Sequence, residues 1–154
     1  MSNASDSQRD ASGQSRIHVS GPRSTIAYAQ LNDGTRPSRD FYNGLDEGDK
    51  DKFDKLFMTI CEMGTIRNPE KFHPSVGKIK CNQGGKVSAY SVAEFKVHTG
   101  AGKRILAILD KSEFILTHGF LKGVKLASEL KKAQRIFCED LSRRLRLTAT
   151  KGSQ

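Results

Sequence analysis

The chain has 154 residues and a mass of 17.0 kDa, room for one domain with a tail. Its hydrophobic fraction of 36% is below the roughly 45–50% of a chain packed along its whole length, so part of it is expected outside the core. No apolar run approaches the roughly 18 residues of a membrane span, and the opening "MSNASDSQRDASGQSR" lacks the hydrophobic segment of a secretory signal, so the chain reads as intracellular and cytoplasmic. The net charge of +9 is divided unevenly: residues 1–77 hold 10 Lys/Arg against 11 Asp/Glu, net −1, and residues 78–154 hold 16 against 6, net +10. Such asymmetry points to a polyanionic partner, nucleic acid first and an acidic protein second, with a solubilising surface as the plain alternative.

Residues 1–22 are rich in Ser, Gly, Gln, Asn and Asp and bury too little apolar area to offset ordering entropy, which predicts a disordered extension. "STIAYAQL" (24–31) alternates as a short strand, and "NDGT" (32–35) is turn chemistry. Pro37 can open a short helix through Phe41, Tyr42 and Leu45. Asp46 is a plausible N-cap for a longer helix, with Glu47, Asp49 and Asp51 suited to its dipole. Phe53, Leu56, Phe57, Ile60 and Met63 follow at helical spacing, and Gly64 ends the run.

After a loop with Pro69 and Pro74 come "KIKC" (78–81), "VSAYSVAEFKV" (87–97), "RILAIL" (104–109) and "FILTHGFL" (114–121), the last two joined by a "DKSE" hairpin. In the second of these, Val92, Glu94 and Lys96 share one face and Ala93, Phe95 and Val97 the other. Alternation in the last strand sets His118 on the face of Phe114, Leu116 and Phe120. There its imidazole either bonds a core neighbour or meets a phosphate. A final helix from Ser128 to about Arg146 turns Leu130, Ala133, Phe137 and Leu141 inward and Lys131, Lys132, Arg135, Arg143 and Arg144 outward. The expected architecture is α+β: a small antiparallel sheet of about four strands, an N-terminal helical hairpin and a C-terminal helix packed on it. The domain spans 23–147, and 148–154 form a flexible tail.

Cys61, Cys81 and Cys138 are an odd count without a close pair, which predicts reduced thiols and neither a disulfide framework nor a zinc site. "HTGAGKR" (98–104) lacks the phosphate-loop pattern and precedes a strand, so it reads as a glycine-rich hairpin connection. Lys96, Arg104 and Lys122 lie on three successive segments of a predicted meander, and with suitable register their charges gather in one anion cradle.

"LTHGFLKG…SELKKAQRI" resembles the signature segment of the RelE/HigB-like toxins of type II toxin–antitoxin systems, in their phage-derived branch. "GTRPSRDFYNGLDEGDKDKFDKLFMTICEMGTIRNPEKF" is similar to that family's helical hairpin and tail, and "AEFKV" and "KRILAIL" resemble its next two strands. The likeness covers roughly residues 24–140. It implies a toxin that cleaves mRNA on the ribosome without metal or cofactor and is restrained by a cognate helix-turn-helix antitoxin. In such cleavage the RNA 2′-hydroxyl attacks the adjacent phosphorus while cations stabilise the developing charge. Carried onto this chain, the resemblance assigns Lys96 and Arg104 to phosphate stabilisation and His118 to proton transfer. Lys122, Lys125, Lys103 and Lys80 would contact RNA. Two further classes keep the basic surface without that chemistry: a gyrase-inhibiting toxin, and a non-catalytic binding module of phage or mobile-element origin. Here Gly123 stands where relatives commonly place Thr-Pro, and Tyr28, Tyr42 and Tyr90 all precede the tail.

Overall fold

The computed structural model describes residues 15–152. The helices expected after the first turn are present. Pro37 occupies the first turn of α1 (Pro37–Asn43), where its missing N–H costs nothing. Asp46 caps α2 (Glu47–Met63) by accepting from the Asp49 amide at 2.8 Å, and Gly64 closes it at φ 81°, a left-handed turn that glycine adopts without a Cβ clash. The stripe Phe53, Leu56, Phe57 and Ile60 is buried, whereas Met63 is 66% exposed. The third helix, α3, spans Leu126–Gly152. It starts before Ser128 and runs into the segment expected as a flexible tail.

The sheet differs from the expectation. Among the described residues it is mixed and six-stranded, with strands β1 (Ile17–Ser20), β2 (Thr25–Tyr28), β3 (Phe72–Gln83), β4 (Lys86–Val97), β5 (Lys103–Asp110) and β6 (Glu113–Leu121) in the order β1-β2-β6-β5-β4-β3. It is not a four-stranded antiparallel sheet headed by a helical hairpin. The chain enters through two strands, and β2 pairs with β6 in parallel, Thr25 opposite Glu113 and Tyr28 opposite Leu116. All other pairings are antiparallel. The difference has a local cause. Residues 1–22 look polar on average, but Ile17 and Val19 alternate within them, and four residues suffice for an edge strand. The rest of that stretch, residues 1–14, lies outside the described residues.

Strand β1 is held by more than its ladder. The Tyr28 hydroxyl meets His18 Nδ1, His18 Nε2 lies 2.8 Å from Asp54 of α2, and the Tyr42 hydroxyl donates to both Asp54 oxygens. Burial pushes the Tyr28 phenol up to about 12, so it keeps its proton and acts as a donor to the imidazole. The network clamps β1, β2, α1 and α2 together.

Two apolar layers cover the sheet. Ile26, Phe53, Phe57, Phe95, Ile105 and Leu116 belong to the layer under α1 and α2. Ile79, Leu106, Ile108, Ile115, Ile136 and Phe137 belong to the layer under α3. This explains why "RILAIL" and "FIL" are apolar on both sides: β5 and β6 are interior strands with a helix layer on each face. Alternation along β6 is broken once. Leu116 pairs with Ala107 and His118 with Leu106, leaving Thr117 as an extra residue. This bulge moves His118 from the face of Phe114 and Leu116 to the opposite one.

Gly119 then faces α1, and its reason is steric. A Cβ there would lie 2.1 Å from Cδ2 of Phe41. Replacing Gly119 by Ala should lower stability by about 1–3 kcal/mol in urea denaturation, and Phe41→Leu in the same chain should restore part of the loss.

The cysteines are also corrected. Cys81 of β3 is bonded to Cys138 of α3 across 57 residues, with their Cα atoms 5.5 Å apart, and only Cys61 is free and buried. Separation in sequence hid the pair. The bond staples α3 to an outer strand that also offers the Lys80 amide to Gln134 at 3.0 Å. Cys138→Ser, or reduction of the wild type, should lower stability by about 2–4 kcal/mol, read as a shifted urea midpoint that a reductant no longer changes in the variant.

Candidate functional site

Lys96 and Arg104 are brought together: they are directly opposite on β4 and β5, and Arg104 is opposite Phe120 of β6. Arg104 is covered, and Lys96 is held by a backbone carbonyl at the rim of the sheet. Arg104 is 11% exposed, its Nε lies 3.9 Å from Glu94 Oε2, and its Nη1 is buried without a hydrogen-bond partner. Lys96 Nζ donates to the Pro69 carbonyl at 2.8 Å. Lys122 is exposed at the same end of the sheet, where its amide donates to Gly102 O at 3.0 Å. Lys125 is exposed in the turn before α3.

The remaining expected residues lie elsewhere. Lys103 is on the α2 side, bound to Asp49 Oδ2 at 2.7 Å and to Thr99 O at 3.0 Å. Lys80 is exposed on β3 between Ile79 and Cys81, which both turn toward α3, so its side chain projects the other way. His118 is 2% exposed beneath α3. Its Nε2 lies 2.8 Å from Glu129 Oε1, its Nδ1 lies 3.2 Å from the Thr117 hydroxyl, and its ring tilts over Phe120. Burial lowers its pKa, against the opposing effect of its hydrogen bond to Glu129. At neutral pH the contact is therefore a hydrogen bond from a neutral imidazole to a carboxylate, and the ring fastens α3 to the sheet.

A different cluster is open. The stripe that seats α2 leaves Lys52, Lys55 and Thr59 on its flank, one step round the helix. After Gly64 the chain doubles back, and Asn68 O accepts from the amides of Lys71 and Phe72 at 3.0 Å each, a turn that presents Arg67 and Lys71. The end of β4 supplies Lys96, Val97 and His98. Between these lies a groove of about 460 Å³ with Leu56 and Val97 in its floor and Lys52, Lys55, Lys71, Lys96 and His98 around it. It runs past Lys55 and Lys71 into a second hollow of about 520 Å³ bordered by Arg67 and Met63.

No carboxylate of the described residues lines the groove. Among the described residues, none of Lys52, Lys55, Arg67, Lys71 and Lys96 is in an ion pair. Their partners are neutral: Lys52 meets the Thr99 hydroxyl, and Lys96 the carbonyl already named. Five positive charges around a concave, partly apolar floor focus a positive potential. Such a site can hold a chain of phosphates.

Charge counted by halves concealed this groove, because four of its cations come from the half with net −1. Three acids of that half are engaged elsewhere: Asp46 caps α2, Asp49 holds Lys103, and Asp54 binds His18 and Tyr42. The available signal was Lys52 and Lys55 just off an apolar helical stripe, followed by Arg67 and Lys71 in the returning loop.

The lowered pKa of His118 gives a pH dependence. The unfolded chain binds this proton more tightly than the folded one, so its contribution is complete above about pH 6.5 and declines as pH falls below that value. Between pH 7.5 and 5, wild type should lose more stability in urea titrations than His118→Gln.

No family model matches the chain, nor does any curated protein or solved structure.

Proposed function

We propose that the protein is a non-catalytic nucleic-acid-binding module that holds a phosphate backbone in the groove between α2, the loop 64–71 and the end of β4. One observation carries the reading: among the described residues, five cations without an acidic partner gather in a concave site with no carboxylate. The overall charge of +9 supports long-range attraction of a polyanion. No Phe, Tyr or Trp lines the groove among the described residues, so His98 is its one ring for stacking, and the contacts are of the sequence-tolerant, salt-sensitive kind. RNA is the polyanion that the resemblance in sequence implies. A cytoplasmic site of action would require Cys81 and Cys138 as the dithiol, since that compartment keeps thiols reduced, whereas the two are bonded in this structure.

A second reading is the ribosome-dependent mRNA endonuclease restrained by a helix-turn-helix antitoxin. The adjacency of Lys96 and Arg104 favours it. Against it stand the covered imidazole of His118 and a sheet unlike the one the toxin resemblance implies. For these reasons binding without cleavage is the reading adopted.

The two readings separate in one experiment. A labelled single-stranded RNA of about 30 nucleotides is titrated with wild type and with a variant carrying Lys52→Ala, Lys55→Ala and Lys71→Ala, followed by anisotropy at several salt concentrations. The variant should bind at least about tenfold more weakly near 0.1 M salt, and its log–log salt slope should shrink by about 2, at roughly 0.7 per phosphate contact. Unchanged affinity would remove the groove from the function. Cleaved RNA, with or without ribosomes, that disappears with Arg104→Ala would establish the second reading instead.

A further inference from the structure

Helix α3 carries its charges in a sorted arrangement. Each of its acids has a partner. Glu129 binds His118, and Glu139 accepts from the Asn32 amide at 2.6 Å. Asp140, fully buried, accepts from the Gln30 amide at 2.9 Å and from Arg143 and Arg144 at 2.9 and 2.7 Å. The cations on the outside are left alone. Lys131, Lys132 and Arg135, with Lys125 just before the helix, are exposed, and none is in an ion pair among the described residues.

Like charges at 131 and 135 stand one turn apart, an arrangement that weakens a helix unless an outside anion relieves it. This surface also lies across the sheet from the groove. Helix α2, which forms one wall of the groove, covers the layer of Phe57 and Phe95, whereas α3 covers the layer of Ile79 and Leu106. A strand seated in the groove would have to pass round the edge of the sheet to reach this surface.

We infer that the outer face of α3 is a second phosphate-binding surface, and that one molecule thereby bridges two nucleic-acid segments on opposite sides of its sheet. The inference rests on the nucleic-acid reading of the groove and adds bivalency to it. Backbone contacts at both surfaces would be indifferent to sequence, and two sites on one rigid body would gather strands rather than coat a single one.

The test uses two short single-stranded RNAs, one with a donor dye and one with an acceptor. Wild type should raise energy transfer near stoichiometry and lose it in excess protein, when each strand occupies a separate molecule. A variant with Lys131→Glu, Lys132→Glu and Arg135→Glu should lose the transfer while binding a single RNA within about threefold of wild type. A charge-matched control, with Lys78→Glu, Lys86→Glu and Lys111→Glu, should keep it. Transfer that survives the α3 substitutions, or is lost equally in the control, overturns the inference. If the α3 variant abolishes all binding while the alanine variant of the groove binds normally, the groove reading fails and bridging fails with it. If groove substitutions abolish transfer but α3 substitutions do not, the groove reading stands and the second surface falls.

Discussion

Four rungs of parallel pairing between Thr25–Tyr28 and Glu113–Leu116 are the constraint on which the molecule depends. They convert β6 from a sheet edge into an interior strand, and an interior strand needs cover on both faces. One cover is α1 with α2, and the other is α3. Where the two demands meet on β6, the strand yields by one residue at Thr117. The displaced alternation sends Gly119 against the ring of Phe41 and His118 under α3. The imidazole and the glycine in "FILTHGF" are thus both packing residues of a strand that serves two layers.

The same arrangement determines the electrostatics. A helix layer on each face creates buried seams where carboxylates find partners: Asp49 with Lys103, Asp54 with His18 and Tyr42, Glu129 with His118, and Asp140 with Arg143 and Arg144. Acids engaged in this way no longer neutralise the surface near them. What remains outside is a groove beside α2 and a stripe on α3, both positive, and neither is visible in a count of charges along the chain. The proposed binding role follows from this sorting more than from the net charge itself.

Lys96 and Arg104 illustrate the limit of a cluster read only from register. They are neighbours across β4 and β5, yet Glu94 and the Pro69 carbonyl occupy them. Adjacency alone is no catalytic site when the best proton carrier of the set is sealed beneath a helix. Lys103 and Lys80 project from the other side of the sheet, as period-2 alternation requires once the register is known.

Sequence by itself determined the local elements. Asp46 and Gly64 bound α2, the period of Leu130, Ala133, Phe137 and Leu141 placed the inner stripe of α3, and alternation from Val92 to Val97 set the two faces of β4. Each of these depends on neighbours within a turn or two of the chain, so the pattern is written where the element forms. Tertiary structure alone decided the strand order, the bulge, the bond between Cys81 and Cys138, and the meeting of Lys52, Lys71 and Lys96. Apart from the bulge, these join residues tens of positions apart, and all of them become defined only when two apolar layers are packed against one sheet.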